Sequence, residues 1–219
     1  MIAAGGRGER AAFTDDQPKQ FRPLGGRPLL EYCLDELSRA GCDPIVLVVP
    51  ERFMSEARVL FGARANIVFA TGGETRQDSV ASGLEEVSTD LVVVHDGARP
   101  FATADLVRSV IEAVGDHDGA IAAMPVDETL KRVDGTSIVE TVDRSHLWRA
   151  HTPQVFKSDA LRSAHEKARQ EGFIGTDDAS LLERYGGTMA VVPSPRSNIK
   201  LTYPEDFALA EAILRGGLR

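Results

Sequence analysis

The sequence predicts an α/β chain built on a mostly parallel sheet with helices on both faces. Three observations predict it. Short apolar runs alternate with stretches of helical periodicity along most of the 219 residues. The clearest runs lack polar alternation, which is the pattern of strands covered on both faces. Polar and glycine-bearing segments fall where these runs end, the usual place of functional groups in an open α/β sheet.

The elements follow in order. Ile2-Ala3-Ala4 reads as the end of a strand, and a Gly/Arg-rich loop, Gly5 to Gln20, follows it. Residues 28–40 place Leu29, Leu30, Cys33, Leu34 and Leu37 at helical spacing, with Pro28 suited to the first turn and Gly41 to the end. IVLVVP (45–50) reads as a buried strand, 52–60 as a short helix, 66–70 as a strand and 77–87 as a helix. LVVVH (91–95) is the clearest strand; a helix over 104–114 and a strand over 119–126 continue the rhythm.

That rhythm breaks at 127–152. β-type runs flank Asp134-Gly135, a hairpin turn pair. A hairpin arm over about 127–150 is expected to project from the body, and such arms often join subunits. Helices over 158–171 and 178–185, a strand over 189–193 and a last helix over 205–215 complete the chain, with Pro204 in the last helix's opening turn. No repeat, low-complexity segment or linker divides residues 1–219, so one unit is expected.

Composition narrows the function. With 25 Lys and Arg against 33 Asp and Glu, the formal charge is −8, which excludes binding of nucleic acid by a basic surface but not a local cationic pocket. The two cysteines, Cys33 and Cys42, form no metal-ligand spacing and imply no disulfide framework. No leader pattern and no apolar run near 18 residues occurs, so a cytoplasmic protein is expected.

Five constellations carry candidate chemistry. Ala4-Gly5-Gly6-Arg7-Gly8-Glu9-Arg10, with Pro18-Lys19-Gln20, can present backbone N–H groups and two cations to a phosphate. It lacks the GxxxxGK[ST] pattern, and its dinucleotide pattern is incomplete. A surface loop with scattered charge is the plainer reading. His95-Asp96-Gly97-Ala98-Arg99-Pro100 ends an apolar strand: Asp96 suits a cation or a hydroxyl, Arg99 a phosphate, and His95 is equally a structural histidine. Asp96 and Arg99 could equally serve only each other. Gly72-Gly73 leads into a helix where Arg76 and Ser79 face a nucleotide, or where Thr75 or Asp78 simply caps. Asn198-Ile199-Lys200 brings a third cation before the last helix. Thr129, Arg144, Thr152-Pro153-Gln154 and Thr176-Asp177-Asp178 could hold a small phosphorylated substrate, or do hairpin and capping work. No Ser–His–Asp arrangement and no HExxH occurs. Cations and a carboxylate without a covalent nucleophile point to phosphoryl or nucleotidyl transfer.

Together, AGGRGER, PKQF, GGETRQDSV, HDGARPF, PVDETLKR, TVDR, HTPQVF, TDDAS and NIKLTYPED stand in one order over nearly the whole chain. This set resembles the 2-C-methyl-D-erythritol 4-phosphate cytidylyltransferases of isoprenoid precursor synthesis. The resemblance implies a Rossmann-like fold of the nucleotide-diphospho-sugar transferase type and a homodimer joined by the arms. It implies use of Mg²⁺ and transfer of CMP from CTP to the methylerythritol phosphate. By motif it assigns catalysis to Arg10, Lys19 and Lys200. It assigns CTP binding to Ala4, Gly5, Gly6, Gly8, Arg10, Lys19, Gly73, Ser79 and Asp96, and acceptor binding to Asp96, Arg99, Thr129, Arg144, Thr152 and Thr176. Asp96 is also the candidate Mg²⁺ ligand, beside the CTP phosphates themselves.

Two departures stand out. Gly97 replaces the family's usual Ala, which is expected to add backbone freedom beside Asp96. The family also carries more apolar residues before the Ala-Gly loop, which leaves either a shortened first strand or a start placed too late. Transfer to ribitol 5-phosphate is the close rival reaction, and a non-catalytic nucleotide-binding or assembly module the rival of another class. A nicotinamide oxidoreductase is disfavoured, because no acidic residue follows the GxG at the end of a suitable second strand.

Overall fold

In the computed structural model, residues 1–4 and 18–217 are described. The chain runs β1 (Ile2–Ala3), β2 (Pro23–Leu24), β3 (Arg27–Pro28), α1 (Leu29–Arg39), β4 (Ile45–Val49), α2 (Met54–Phe61), β5 (Ile67–Thr71), α3 (Arg76–Glu85), β6 (Leu91–Asp96) and α4 (Ala104–Val114). It continues through β7 (Gly119–Pro125), β8 (Leu130–Asp134), β9 (Ser137–Val142), β10 (Trp148–Lys157), α5 (Ser158–Glu171), α6 (Asp178–Arg184), β11 (Met189–Pro193) and α7 (Pro204–Gly216). The expected alternation is present, and α4, α5 and β11 occupy the residues predicted for them.

Seven strands form the central sheet in the order β11-β7-β10-β6-β1-β4-β5. β1 pairs in parallel with both β4 and β6, β4 with β5, and β11 with β7. β10 runs antiparallel between β6 and β7. The sequence reading places no strand there: it ends the arm near residue 150 and treats Thr152-Pro153-Gln154 as its exit. Two features hide this strand. Pro153 cannot donate to a ladder, which argues against a central strand except at a bulge. The register of β10 against β7 does shift between Ala150 and Gln154, so a bulge accommodates it.

Alternation in the strands assigns each face its helices. Ile45, Leu47 and Val49 of β4, with Val93 and Val155, pack against Leu30, Leu34 and Leu37 of α1, Ala57 and Phe61 of α2, and Val107 and Val110 of α4. Val46 and Val48, with Val92, Val94 and Phe156, pack against Val80 and Leu84 of α3, Leu161 and Ala164 of α5, and Leu181 and Leu182 of α6. A smaller cluster seats α7, through Ala210 and Ile213, on Leu24, Leu29, Phe101 and Leu201. Burying such a side chain stabilises by about 1.5–3 kcal/mol, so two dry faces hold the sheet firmly enough for its end to carry buried charge.

The hairpin β8–β9 forms a separate two-stranded ladder that turns at Gly135, whose φ is +57°. Val133, Ile138 and Val139 on it are 58–65% exposed, and Leu147 and Trp148 beyond it are also exposed. Among the described residues, no helix is long and apolar enough to cross a membrane.

Candidate active site

Parallel strands β1 and β6 end side by side, at the place where the strand order turns back, which in open α/β sheets is the ligand crevice. Asp96 is the last residue of β6, and Ala4 follows β1 with its N–H on Val48 O at 2.9 Å. Gly5, Gly6, Gly8 and Arg10 of the first loop lie outside the described residues. Lys19 opens a short 3₁₀ turn, Lys19–Phe21, anchored by Phe21 edge-on to Phe53 and Phe61.

Asp96 is nearly buried and surrounded by cations. Lys200 Nζ donates to its Oδ2 at 2.7 Å, Arg76 Nε donates to its Oδ1 at 3.2 Å, and Arg99 Nε stands 3.8 Å from Oδ2. Burial alone would raise the Asp96 carboxyl, but Arg76, Lys200 and Arg99 outweigh it and hold the group far below the usual carboxylate range. The carboxylate is therefore ionised throughout the neutral range.

A closed ring of hydrogen bonds fixes this end of the sheet. Where the β6–β10 ladder would continue, the Asp96 N–H donates to Thr152 Oγ1 at 3.0 Å. The Thr152 hydroxyl lies 3.0 Å from His95 Nδ1, and His95 Nε2 lies 3.0 Å from Arg99 O. A carbonyl only accepts, so Nε2 carries the ring proton and Nδ1 accepts from Thr152. Burial pushes the His95 pKa down to about 4, so the ring is neutral. Arg99 Nη1 donates to Asn198 O at 2.8 Å, and Asn198 Nδ2 returns to Thr152 O at 3.0 Å. Asn198 also donates to Ser194 Oγ, and Leu201 N–H to Ala98 O. The turn that carries Lys200 is thus pinned on both sides of it. Asp206 accepts from the N–H groups of Thr202 and Tyr203 and fixes the entry to α7.

The sequence-predicted residues separate into three groups. Asp96, Arg99 and Lys200 are brought together. Thr152 is buried beneath them with its proton committed to His95, and Ser79 is buried with its hydroxyl donating to Thr75 O at 2.9 Å. Gly73 is exposed beside the first turn of α3, where an added Cβ would stand 2.3 Å from Asp78 Cβ. Thr129, Arg144 and Thr176 are exposed, and among the described residues none of them hydrogen-bonds or ion-pairs with Asp96. Arg144 donates instead to the backbone carbonyl of Asp127 at the root of the arm.

Gly97 has a reason other than freedom. Its φ is not positive, and an added Cβ would stand 3.0 Å from Leu30 Cδ1 and 3.2 Å from Ile2 Cγ2. It lets the Asp96 turn lie close on α1 and β1.

Sequence reasoning overlooks two groups. Asn198 appears there only as a neighbour of Lys200, yet it is fully buried and ties three segments. Asp178 is one of two successive aspartates at a helix start, and no local pattern separates the cap, Asp177, from its buried neighbour. Thr75 and Asp78 form a capping box on α3, the plainer of the two readings for those residues.

Beside Lys200 an open groove of about 490 Å³ is lined by Arg99, Arg149, His151, Arg196 and Asn198, with Asp127, Glu128 and Asp206 at its borders. Among the described residues, no group of three or more His, Cys, Asp or Glu could hold a metal ion.

Comparison with known proteins fits this geometry. Residues 1–216 match the family described as 2-C-methyl-D-erythritol 4-phosphate cytidylyltransferase. The protein of that name from Aquifex aeolicus is 41% identical over 214 residues, covering 98% of this chain and 96% of that protein. A bifunctional enzyme IspD/IspF from Rhodospirillum rubrum is 45% identical over 224 residues, covering 99% of this chain but 56% of that longer protein. The crystal structure of the cytidylyltransferase from Thermus thermophilus superposes with a TM-score of 0.79 at 37% identity, covering 94% of this chain and 96% of that one. A 4-diphosphocytidyl-2C-methyl-D-erythritol synthase from Anaerococcus prevotii gives 0.85 at 31%, covering 98% and 96%.

Proposed function

The chain belongs to the 2-C-methyl-D-erythritol 4-phosphate cytidylyltransferase family, and from that premise we infer its reaction and how this site carries it out. The protein transfers CMP from CTP to 2-C-methyl-D-erythritol 4-phosphate, giving 4-diphosphocytidyl-2-C-methyl-D-erythritol and pyrophosphate. A phosphate oxygen of the acceptor attacks the α-phosphorus in line. The new P–O bond forms as the bond from the α-phosphorus to the bridging oxygen breaks, and its electron pair leaves with pyrophosphate. The nucleophile is already anionic near neutral pH, so no strong general base is required.

The observation that carries this reading is Lys200, a cation held 2.7 Å from a buried carboxylate at the end of β6. Its ammonium is fixed in place by that carboxylate, so it can stabilise charge building on the reacting phosphates without reorganising. By family likeness Arg10 and Lys19 are the further cations for the triphosphate, and the backbone of Ala4, Gly5, Gly6, Gly8 and Gly73, with Ser79, is assigned to binding the nucleotide. The groove beside Lys200 and Arg99 is the approach for the phosphorylated acceptor, and family likeness assigns Thr176 to the same substrate.

Asp96 does not fit the role of Mg²⁺ ligand. Its oxygens already face Lys200, Arg76 and Arg99, and a divalent cation would have to displace them. Mg²⁺ enters as part of the substrate, on the phosphates of CTP. The exposed apolar residues of the hairpin fit a homodimer joined through the arms, which would carry Thr129 and Arg144 to the partner's site. Both cysteines are free thiols, in keeping with a cytoplasmic location.

Pyrophosphate release from CTP and Mg²⁺, with each candidate acceptor, tests the reaction. Release is expected with 2-C-methyl-D-erythritol 4-phosphate. Release with ribitol 5-phosphate alone would overturn the acceptor, and CTP binding without turnover on any polyol phosphate would favour a non-catalytic module.

A further inference from the structure

Behind Asp96 lies a second layer of buried charge that the reaction above leaves unused. Arg76, the first residue of α3, forks: its Nε donates to Asp96 Oδ1 at 3.2 Å, and its Nη1 stands 2.7 Å from Asp178 Oδ2. Asp178 opens α6 with a side chain 1% exposed, and its Oδ1 faces His165 Nε2 of α5 at 3.3 Å. The neighbouring Asp177 has a different task. It accepts from Ser180 N–H as the cap of α6 and from Gln154 Nε2 at 2.8 Å. The helix start is therefore served without Asp178.

An ionised carboxylate at this depth costs several kcal/mol to bury unless it is paired. Burial raises the Asp178 carboxyl, but Arg76 and His165 outweigh it and keep the group ionised. The pairing has a geometric consequence. A guanidinium held by nothing else closes on a carboxylate with two parallel N–H bonds, occupying both oxygens. Turned towards Asp178 through Nη1, Arg76 meets Asp96 through Nε at Oδ1 alone. Oδ2 of Asp96 faces Lys200 at 2.7 Å, with Arg99 Nε farther off at 3.8 Å.

We propose that Asp178 and Arg76 are positioning residues for the transfer reaction. Asp178 holds Arg76 in the orientation that leaves one oxygen of Asp96 to Lys200, and so fixes where the Lys200 ammonium stands. This rests on the reading of Lys200 as the cation that acts on the reacting phosphates. Neither Asp178 nor Arg76 needs to touch a substrate. Displacing a catalytic group by about 1 Å costs roughly 10²-fold, and loss of an outer-layer partner typically costs about 10–100-fold.

The test compares Asp178→Asn, Arg76→Lys and the double variant Arg76→Gln/Asp178→Asn. Asp178→Asn is expected to lower kcat by about 10–100-fold while the KM for CTP moves far less. Arg76→Lys keeps the charge but cannot span both carboxylates, so it should recover only part of kcat. The double variant removes one positive and one negative charge and leaves two amides that can pair. Its melting temperature is expected to recover relative to either single change, with kcat still low. A merely structural pair would regain turnover together with stability, and that result overturns the proposal, as would wild-type kcat in Asp178→Asn. If Asp178→Asn fails to fold, the double variant and Arg76→Lys decide. A readout without turnover separates this inference from the assigned reaction: Asp178→Asn and Lys200→Gln should shift the urea midpoint non-additively, because they share one network. Additive shifts contradict the positioning chain even if the enzyme is active. Absence of turnover in the wild type contradicts the reaction and leaves the coupling test standing.

Discussion

Asp96 and Ile138 stand at opposite ends of this molecule's logic. Asp96 is charged yet 8% exposed, and the groups around its carboxylate, Lys200, Arg76 and Arg99, all belong to the same chain. Ile138 is apolar yet 65% exposed, on a hairpin whose two strands, among the described residues, pair only with each other. The site floor is complete within one subunit: Thr152, His95, Arg99 and Asn198 close a ring of hydrogen bonds beneath Asp96. The arm is not, because an exposed apolar strand pair gains stability only by meeting another surface. The difference teaches where each kind of damage will show. Changes in the floor should appear in chemistry within a subunit, and changes in the arm should appear in assembly.

The largest effect is expected from the floor. Lys200→Ala should lower kcat by about 10²-fold or more, by analogy with loss of a single oxyanion donor. Its circular dichroism should stay close to wild type, and its melting temperature should fall only modestly, far less than in proportion to activity, since the side chain is 38% exposed. Loss of stability in step with activity would make Lys200 part of the scaffold and break the contrast.

On the arm, Ile138→Asp places a charge opposite Val133 on the exposed apolar hairpin. Sedimentation should show dimer converting to monomer at micromolar concentration, with circular dichroism preserved. A dimer of undiminished affinity would mean that subunits meet elsewhere.

A smaller effect separates the two regions by pH. The folded pKa of His95 is about 4 against an ordinary 6.5, so the unfolded chain binds the extra proton first as pH falls. Stability is therefore full above pH 6.5 and declines towards pH 4, by about 3 kcal/mol for a shift of this size. His151, pushed to about 4 by burial, Arg99 and Arg149, adds to the same slope. Urea unfolding of His95→Gln should show a shallower dependence between these pH values. An unchanged slope would remove His95 from the floor's accounting. The smallest effect belongs to Arg132→Ala, which breaks an ion pair with Glu140 in which both side chains are more than half exposed. Thermal melting should show no resolvable change.

How much of this could be read from the sequence follows the same division. Helices α4 and α5 were legible because an apolar stripe at helical spacing marks both of their ends. Asp96 is legible as a carboxylate ending an apolar run, and Lys200 as a cation just before the last helix. The link between them is not, because it joins residues 104 apart. Arg76 and Asp178 look like ordinary helix-start residues, and only tertiary packing shows that one spans two carboxylates and the other is buried. Strand β10 is hidden by Pro153 and by its exposed first three residues, Trp148 to Ala150, which read as a continuation of the arm. Gly97 could be seen to differ from the family, but its cause, the approach of Leu30 and Ile2, could not.

We propose that the arm of one subunit reaches over the otherwise complete floor of the other, and mixed dimers test this most directly. Subunits carrying Arg144→Ala, with an intact pocket, are mixed and re-equilibrated with subunits carrying Lys200→Ala, with an intact arm. If the arm acts across the dimer, each mixed dimer holds one site with both residues. Random pairing then restores about a quarter of wild-type turnover from two nearly inactive parents, as two-fold symmetry requires. No recovery in dimers verified as mixed would contradict the claim and return Arg144 to the pocket of its own subunit.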